Sequence, residues 1–300
     1  MRFSTIIPVA LAAAPAVVSA AGTLGFALGD KNADGSCKQT SDYEADFDTI
    51  KSQSTIVRGY SASECNSAAQ ILPAAQNKGF KVVLGVWPDT DDSFNADKAA
   101  LQQYVPQYQD SVYAVTVGSE TLYRGNFTGS ELLSKINEIK SVLPNTKVGT
   151  ADSWNKYADG TADALITGGV DLLLVNAFAY WQSQAIDNAT ATFFDDVQQA
   201  IGHIQSTAGS TSSIETWVGE TGWPTGGGNY GAAVPSTSNA QTFWSNGVCG
   251  MLDWDTNVFF FEAFDEPWKP TSIGDNGQSE DETHWGAWNA DRSTKYSLSC

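Results

Sequence analysis

The chain contains the run Tyr113-Ala-Val-Thr-Val-Gly-Ser-Glu120, in which an apolar segment ends in a glutamate. A second run, Ile214-Glu-Thr-Trp-Val-Gly-Glu-Thr-Gly-Trp-Pro224, has the same arrangement around Glu220. Both runs are rich in β-branched and aromatic residues, which favour buried strands, and both place glycine and an acid where the strand should end. Because an unpaired buried charge is strongly unfavourable, two acids at matching strand ends indicate one shared polar site.

The rest of the chain alternates strand-like and helix-like segments. The pattern predicts eight strands, at 23–29, 55–61, 81–88, 113–120, 147–154, 172–181, 214–224 and 257–267. Helical spacing separates them, at 43–53, 65–78, 95–108, 129–143, 160–167, 191–207 and 239–252. Several helices carry end signals, such as Thr128 three residues before Glu131 and Gly79 or Gly209 after a helix end.

Eight such units predict an α/β fold, a (β/α)8 TIM barrel that forms a single domain over 21–300. The alternative is an open, doubly wound sheet. That fold usually has a glycine-rich phosphate turn after its first strand, and Leu28-Gly29-Asp30-Lys31 is not one. No eighth helix is signalled after Pro267, so we expect a short irregular closure there, held by Cys300.

The first residues have the features of a secretory signal. Arg2 precedes an apolar stretch that ends in Val18-Ser-Ala20, which predicts a signal peptide over 1–20 that is cleaved after Ala20. Because no later window is apolar for long enough to span a bilayer, we expect a secreted, extracellular protein that makes no use of a membrane.

Secretion makes disulfides the expected state of the four cysteines, Cys37, Cys65, Cys249 and Cys300. Three pairings are possible, and we favour Cys37 with Cys65 and Cys249 with Cys300 because each joins neighbouring segments. Two sequons, at Asn126 and Asn188, are candidate glycosylation sites.

The net charge is −18, from 16 basic and 34 acidic residues. An acidic surface repels nucleic acid and anionic membranes, so the partner should be neutral or cationic. Acidity that serves solubility alone would look the same, and the constraint on partners is therefore weak. The segment Asp30-Lys-Asn-Ala-Asp-Gly35 matches the start of a calcium-binding loop. At the position where such a loop has a bidentate glutamate this chain has Ser41, so we expect no metal there.

In a barrel of this kind the site lies where the strands end. Those positions carry aromatic and acidic residues in alternation: Tyr60, Trp87, Glu120, Tyr123, Trp154, Tyr180, Trp181, Glu220, Trp223, Glu262, Asp265, Glu266 and Trp268. Rings that stack on sugar faces, with carboxylates that bind hydroxyls, indicate a groove for a neutral polyhydroxylated ligand. Individual rings among them could equally fill the outer layer of the barrel.

Glycoside hydrolysis needs a protonated acid and an ionised carboxylate, supplied from two sides of the scissile bond. Glu120 and Glu220, from the fourth and seventh predicted strands, meet this requirement.

Four segments make the chain resemble glycoside hydrolase family 17, and more closely its fungal cell-wall branch of β-1,3-glucanases and β-1,3-glucanosyltransferases. They are Thr116-Val-Gly-Ser-Glu120, Val175-Asn-Ala-Phe-Ala-Tyr-Trp181, Trp217-Val-Gly-Glu-Thr-Gly-Trp-Pro224 and Phe264-Asp-Glu-Pro-Trp-Lys269. The resemblance implies a (β/α)8 barrel and a retaining double displacement on β-1,3-glucan, without a cofactor. It implies that Glu120 is the acid/base and Glu220 the nucleophile.

The resemblance also places Asn176 and Tyr180 near the donor sugar and gives Glu266 and Lys269 a supporting role. Related barrel glycosidases commonly have asparagine before the acid/base, where this chain has Ser119. We expect the substrate-binding residues to be Tyr60, Ser119, Tyr123, Asn176, Tyr180, Trp223, Glu266 and Lys269.

We expect a monomer that acts in cell-wall remodelling. Hydrolysis and transfer share the covalent intermediate, and the motifs do not separate them. The alternative, a glucan-binding wall protein that has lost catalysis, is disfavoured by the intact acids.

Overall fold

The computed structural model describes residues 22–209, 214–273, 277 and 279–300, so the predicted signal peptide lies outside the described residues. Eight parallel strands follow one another around a closed barrel, β1 to β8. The strands are β1 Leu24–Ala27, β2 Ile56–Arg58, β3 Lys81–Val86, β4 Val112–Ser119, β5 Lys147–Ser153, β6 Leu172–Asn176, β7 Glu215–Thr221 and β8 Val258–Phe260. The predicted (β/α)8 TIM barrel is confirmed.

Helices surround the barrel. They are α1 Thr40–Ile50, α2 Ser67–Lys78, α3 Asp91–Tyr104, α4 Gly129–Val142, α5 Trp154–Ala158, α6 Asp163–Thr167, α7 Ile186–Ala208, α8 Thr237–Phe243 and α9 Cys249–Asp253, with a π-helical turn at Trp244–Val248 between the last two. The predicted helix at 160–167 corresponds to α6, and a further short helix, α5, precedes it. Trp154 begins α5 instead of ending β5. The predicted strands at 172–181 and 257–267 were too long, because apolar residues continue into the loops after pairing has ended.

The predicted helix ends have a local basis. Thr128 and Glu131 form a capping box in which each side chain accepts the other residue's backbone N–H. Gly79 and Gly209 adopt left-handed conformations at φ 74° and 65°, where glycine is favoured, directly after α2 and α7.

Alternate strand residues face two apolar layers. The larger layer lies between strands and helices. The smaller one fills the barrel and consists of strand residues only: Ile56, Val83, Ala114, Ala151, Leu172, Leu174, Trp217 and Phe259. Trp217 stacks on Phe259 with ring centroids 4.8 Å apart, near the start of β7. The interior of the barrel is therefore filled by apolar side chains, and the acids Glu120 and Glu220 lie at the other end, where the strands finish.

The segment after β8 closes the barrel without an α-helix in the part of the chain that the structure describes. It contains two short antiparallel strands, β9 Ser272–Ile273 and β10 Ser279–Glu280. Disulfides join Cys249 to Cys300 and Cys37 to Cys65, which confirms the favoured pairing. Within the described ranges, every helix is too short or too polar to cross a bilayer.

Candidate active site

Glu120 turns into the mouth of the barrel because the backbone before it leaves the regular strand. Gly118 and Glu120 both have positive φ angles, of 85° and 57°. A side chain at Gly118 would bring a Cβ within 2.8 Å of Thr121, so glycine is required there. The pairing of β4 with β5 shifts register between Thr116 and Ser119, and the chain bends at this point.

Glu220 reaches the same place from the opposite side of the barrel. It pairs in register with Asn176 on the neighbouring strand β6. Asn176 Nδ2 donates a hydrogen bond to Glu120 Oε1 at 3.1 Å. Asn176 therefore lies between the two acids, and the structure brings together the two carboxyl groups that the sequence singled out.

Two donors hold the Glu220 carboxylate. Arg58 Nη1 donates to Glu220 Oε1 at 2.9 Å, and the hydroxyl of Tyr60 donates to the same oxygen at 2.8 Å. Arg58 has no exposed surface, and an arginine remains charged even when buried. This buried cation is paired with Glu220 and favours negative charge on its carboxyl group.

Arg58 also links the two strands that carry the acids. Its Nη2 donates to Ser119 Oγ at 3.1 Å, and its Nη1 donates to the Gly219 carbonyl at 2.9 Å. The Ser119 hydroxyl is thereby held beside Glu120. Arg58 was missed by the sequence analysis, because an arginine at the end of a three-residue strand has no local signal of its partners.

Glu120 is in the opposite electrostatic state. Burial, together with the negative charge of Glu220, raises the pKa of Glu120 to about 7, although the hydrogen bond from Asn176 opposes the shift. Below about pH 7 the Glu120 carboxyl group is therefore mainly protonated, and it faces a carboxyl group that is paired with arginine. Two neighbouring carboxyl groups in such different electrostatic environments can serve as an acid and a nucleophile.

A second polar cluster lies at the end of β8. Lys269 Nζ is 3.1 Å from Glu262 Oε1, 3.0 Å from Glu266 Oε2 and 3.5 Å from Glu282 Oε2. Burial opposes the lysine's charge, but the three carboxylates outweigh it and raise the pKa of Lys269. The predicted pair of Glu266 and Lys269 is thus part of a larger network, which Glu262 and Glu282 complete.

A cavity of about 300 Å³ lies beside the Lys269 cluster and reaches the first group at Tyr60, whereas Glu120 and Glu220 are not among its lining residues. Tyr60, which binds Glu220, forms part of its wall, and so do the rings of Trp87 and Trp268. Glu262 and Lys269 contribute hydrogen-bonding groups from the second cluster. Rings beside a few polar groups suit a polyhydroxylated ligand.

Two predicted binding residues lie behind this surface. The Trp223 side chain is fully buried and its indole N–H donates to the Val234 carbonyl at 3.0 Å. Tyr180 is 2% exposed and its hydroxyl donates to the Gly228 carbonyl at 2.8 Å. The two rings pack against each other, and Tyr180 also contacts Trp285 while Trp223 contacts Phe243. Neither ring therefore has a face open to a ligand, contrary to the expectation from sequence.

Tyr123 differs from these two rings because its side chain is 41% exposed, in the loop after Glu120. The sequon residues Asn126 and Asn188 are exposed as well. Across the described ranges, no group of three or more histidine, cysteine, aspartate or glutamate residues is placed to hold a metal ion.

The chain is similar in sequence to known glycoside hydrolases. A family described as "BtgE/BtgC glycoside hydrolase domain" matches residues 25–286. A glucan 1,3-beta-glucosidase of Arthroderma benhamiae is 60% identical over 301 residues, which cover 100% of this chain and 98% of the relative. One from Saccharomyces cerevisiae is 46% identical, with 100% of this chain and 99% of the relative covered.

The fold is also similar to that of solved structures of a glycoside hydrolase. A glycoside hydrolase family 17 β-1,3-glucanosyltransferase from Rhizomucor miehei superposes with a TM-score of 0.79 at 30% identity, covering 92% of this chain and 97% of that one. An active-site mutant of the Rhizomucor miehei enzyme, in complex with laminaritriose, superposes with a TM-score of 0.77.

Proposed function

This chain belongs to glycoside hydrolase family 17, and on that premise we propose that it cleaves β-1,3-glucan and transfers the product by a retaining double displacement. Glu220 is the nucleophile and Glu120 is the acid/base. The observation that carries the proposal is the contrast between the two carboxyl groups. Arg58 forms an ion pair with Glu220 and Tyr60 donates a hydrogen bond to it, while burial raises the pKa of Glu120 to about 7.

In the first step a Glu220 oxygen attacks the anomeric carbon of the donor sugar. The bond from that carbon to the glycosidic oxygen breaks, and Glu120 gives its proton to the departing oxygen. The product is a glycosyl ester of Glu220 and a shortened glucan.

In the second step Glu120, now ionised, removes a proton from an incoming hydroxyl group. The oxygen of that group attacks the anomeric carbon and the ester bond to Glu220 breaks. Water gives hydrolysis, and a sugar hydroxyl gives a lengthened glucan. Two inversions at the same carbon leave the product in the β configuration.

The remaining polar groups support these steps. Asn176 fixes the direction of the Glu120 carboxyl group through its hydrogen bond, and Arg58 holds Ser119 beside it. The cavity next to Tyr60 takes the donor side of the glucan, and the exposed Tyr123, in the loop that follows the acid/base, takes the acceptor. An acceptor held there competes with water by proximity.

The setting of this activity is the fungal cell wall, outside the cell. Support comes from the predicted signal peptide, from the two disulfides, which persist in oxidising compartments, and from relatives that are fungal glucan 1,3-beta-glucosidases.

Product sizes test the proposal. The purified protein is incubated with laminaripentaose, and the oligosaccharides are separated by length. Products longer and shorter than the substrate are expected from the wild type, and none from Glu220→Gln. Glu138→Gln, a surface change on α4, serves as the control and should behave as wild type.

Shorter products alone would remove the transfer part of the proposal. Binding of the pentaose without any product would identify a glucan-binding protein and overturn the catalytic assignment.

A further inference from the structure

We infer that Asp152 is a positioning residue that sets the geometry of Glu120, and this inference rests on the proposed role of Glu120 as acid/base. Asp152 lies on β5, beside the strand that ends next to Glu120. Its side chain has no exposed surface. It is neither one of the two acids that the sequence singled out nor part of the cluster around Lys269.

Both oxygens of Asp152 accept hydrogen bonds from the turn that follows Glu120. The Leu122 N–H donates to Oδ2 at 2.8 Å, and the Tyr123 N–H donates to Oδ1 at 3.1 Å. The Ser153 N–H also donates to Oδ1, at 2.9 Å, which fixes the carboxylate against its own strand. A carboxylate only accepts hydrogen bonds and therefore matches a site that presents donors alone.

The turn needs such a restraint because Glu120 has a φ of 57°, which is uncommon for a residue with a Cβ. The Glu120 N–H donates to the Ala151 carbonyl at 2.9 Å, and the Arg124 N–H donates to the Glu120 carbonyl at 2.9 Å. Strand β5 thus holds the backbone at Glu120 through Ala151 and again two and three residues later through Asp152. These contacts fix the direction in which the Glu120 side chain leaves the backbone.

Asp152 also acts on Glu120 through its charge. The groups that face Glu120 are Glu220 from β7, Asn176 from β6, Asp152 from β5 and Arg124 from its own loop. Glu220 and Asp152 raise the pKa of Glu120, while Asn176 and Arg124 lower it. Asp152 itself faces Arg124 and the buried Tyr157, and burial raises its own pKa to about 6, against the effect of three backbone N–H groups. The carboxylate is thus largely ionised near neutral pH.

The test compares two substrates in Asp152→Asn. The amide keeps the size of the side chain but turns an NH₂ group toward backbone donors, and it removes the charge. On laminaripentaose, whose leaving hydroxyl needs a proton, kcat/KM should fall by about tenfold or more. On a 2,4-dinitrophenyl β-laminaribioside, whose phenolate leaves without a proton, kcat/KM should stay within about threefold of the wild type.

The pH profile gives an independent reading. Removing a negative charge beside Glu120 favours its ionisation and lowers its pKa, so the alkaline limb of kcat/KM on laminaripentaose should move to lower pH in Asp152→Asn. An unmoved limb would contradict the electrostatic part of the inference.

Asp97→Asn is the matched control. Asp97 is equally buried and accepts the backbone N–H groups of Ser63 and Trp87, but it holds the loops after β2 and β3. Even if this variant loses stability, the ratio of its kcat/KM values on the two substrates should equal that of the wild type. Equal losses on both substrates in Asp152→Asn would show a purely structural role and overturn the inference.

A double variant, Asp152→Asn combined with Glu120→Gln, separates this inference from the proposed function. In Glu120→Gln the substitution Asp152→Asn should cost no further activity on the pentaose, because the group it positions is gone. If Glu120→Gln itself reduced kcat/KM equally on both substrates, the acid/base assignment would fail independently of the role of Asp152.

Should Asp152→Asn not unfold cooperatively, the same ratio is measured on Asp152→Ser, whose hydroxyl accepts one N–H and leaves room for a water molecule. Failure of both variants to fold would mean that the carboxylate serves the whole barrel, which also overturns the inference.

Discussion

Arg58 and Glu220 form a buried ion pair across the mouth of the barrel, with Nη1 and Oε1 2.9 Å apart. The two residues are 162 positions apart in sequence and come from β2 and β7. Arg58 has no exposed surface and Glu220 is 8% exposed, so water offers little compensation if either partner is lost. The pair joins stability to catalysis, because the anion that it holds is the proposed nucleophile.

We predict that Arg58→Met lowers the free energy of unfolding by about 3–5 kcal/mol, since it leaves a buried carboxylate without its partner. Turnover should fall with it, because Glu220 loses the group that orients it. Urea denaturation followed by fluorescence measures the first effect. Adding Glu220→Gln to Arg58→Met should recover part of the lost stability by removing the uncompensated charge.

Arg124→Met is the control for this prediction. Arg124 pairs with Asp89 at 3.2 Å, but both side chains are partly exposed, so the loss should stay below about 1 kcal/mol. If the two variants lost the same free energy of unfolding, burial of the pair between Arg58 and Glu220 would make no difference to its contribution to stability.

The alkaline side of the activity profile should report Glu120. Its carboxyl group must be protonated to assist the leaving oxygen, and its pKa is raised to about 7, so kcat/KM on laminaripentaose should decline as the pH rises through that value. Glu120→Gln, assayed on a dinitrophenyl glycoside that needs no acid, should lack this decline. A wild-type profile that stays flat to pH 9 would contradict the assignment.

Glu120→Gln should also change how stability depends on pH. The pKa of Glu120 in the folded protein exceeds the ordinary value of 4.5, so its favourable contribution is complete at low pH and is lost as the pH rises through about 7. The neutral amide does not ionise. Relative to the wild type, the variant should therefore gain about 2–3 kcal/mol between pH 4.5 and pH 8, as measured by urea denaturation at each pH.

A difference between the two proteins that did not change with pH would show that burial of Glu120 does not oppose its ionisation.

Gly29 leaves room for the carboxylate of Glu266. A Cβ at this position would lie 1.8 Å from Glu266 Oε1, and Glu266 Oε2 pairs with Lys269 at 3.0 Å. Gly29→Ala should therefore displace Glu266 from Lys269 and cost about 1–3 kcal/mol in the free energy of unfolding. Gly59→Ala is the control, because a Cβ there meets no atom within 4 Å. Equal stability of the two variants would show that Glu266 moves aside freely.

The barrel and its pair of acids could be predicted because their signals are local. Most strands are short apolar runs, and Glu120 and Glu220 lie two residues and one residue after a glycine at their strand ends. The spacing of Thr128 and Glu131 likewise predicts the start of α4, where the two residues form a capping box. These patterns depend on neighbours in sequence, and the structure retains them.

The partners of the acids could not be predicted, because they depend on distant contacts. Arg58 and Asp152 carry no local signal of which strand they will meet. The direction of a ring is equally hidden: Tyr180 and Trp223 follow strands as Tyr60 does, yet they turn into a buried cluster while Tyr60 turns toward Glu220. The strand ends were extended too far for a related reason, since apolar residues continue into loops that pack over the barrel.

Trapping the covalent intermediate tests the central claim most directly. The wild-type protein is incubated with a 2-deoxy-2-fluoro-β-laminaribiosyl fluoride, whose fluorine slows breakdown of the ester, and the labelled peptide is sequenced by mass spectrometry. The account predicts one added glycosyl group, on Glu220, and no label in Glu220→Gln. Label on another residue, or turnover of laminaripentaose to an α-configured first product without any label, would contradict it.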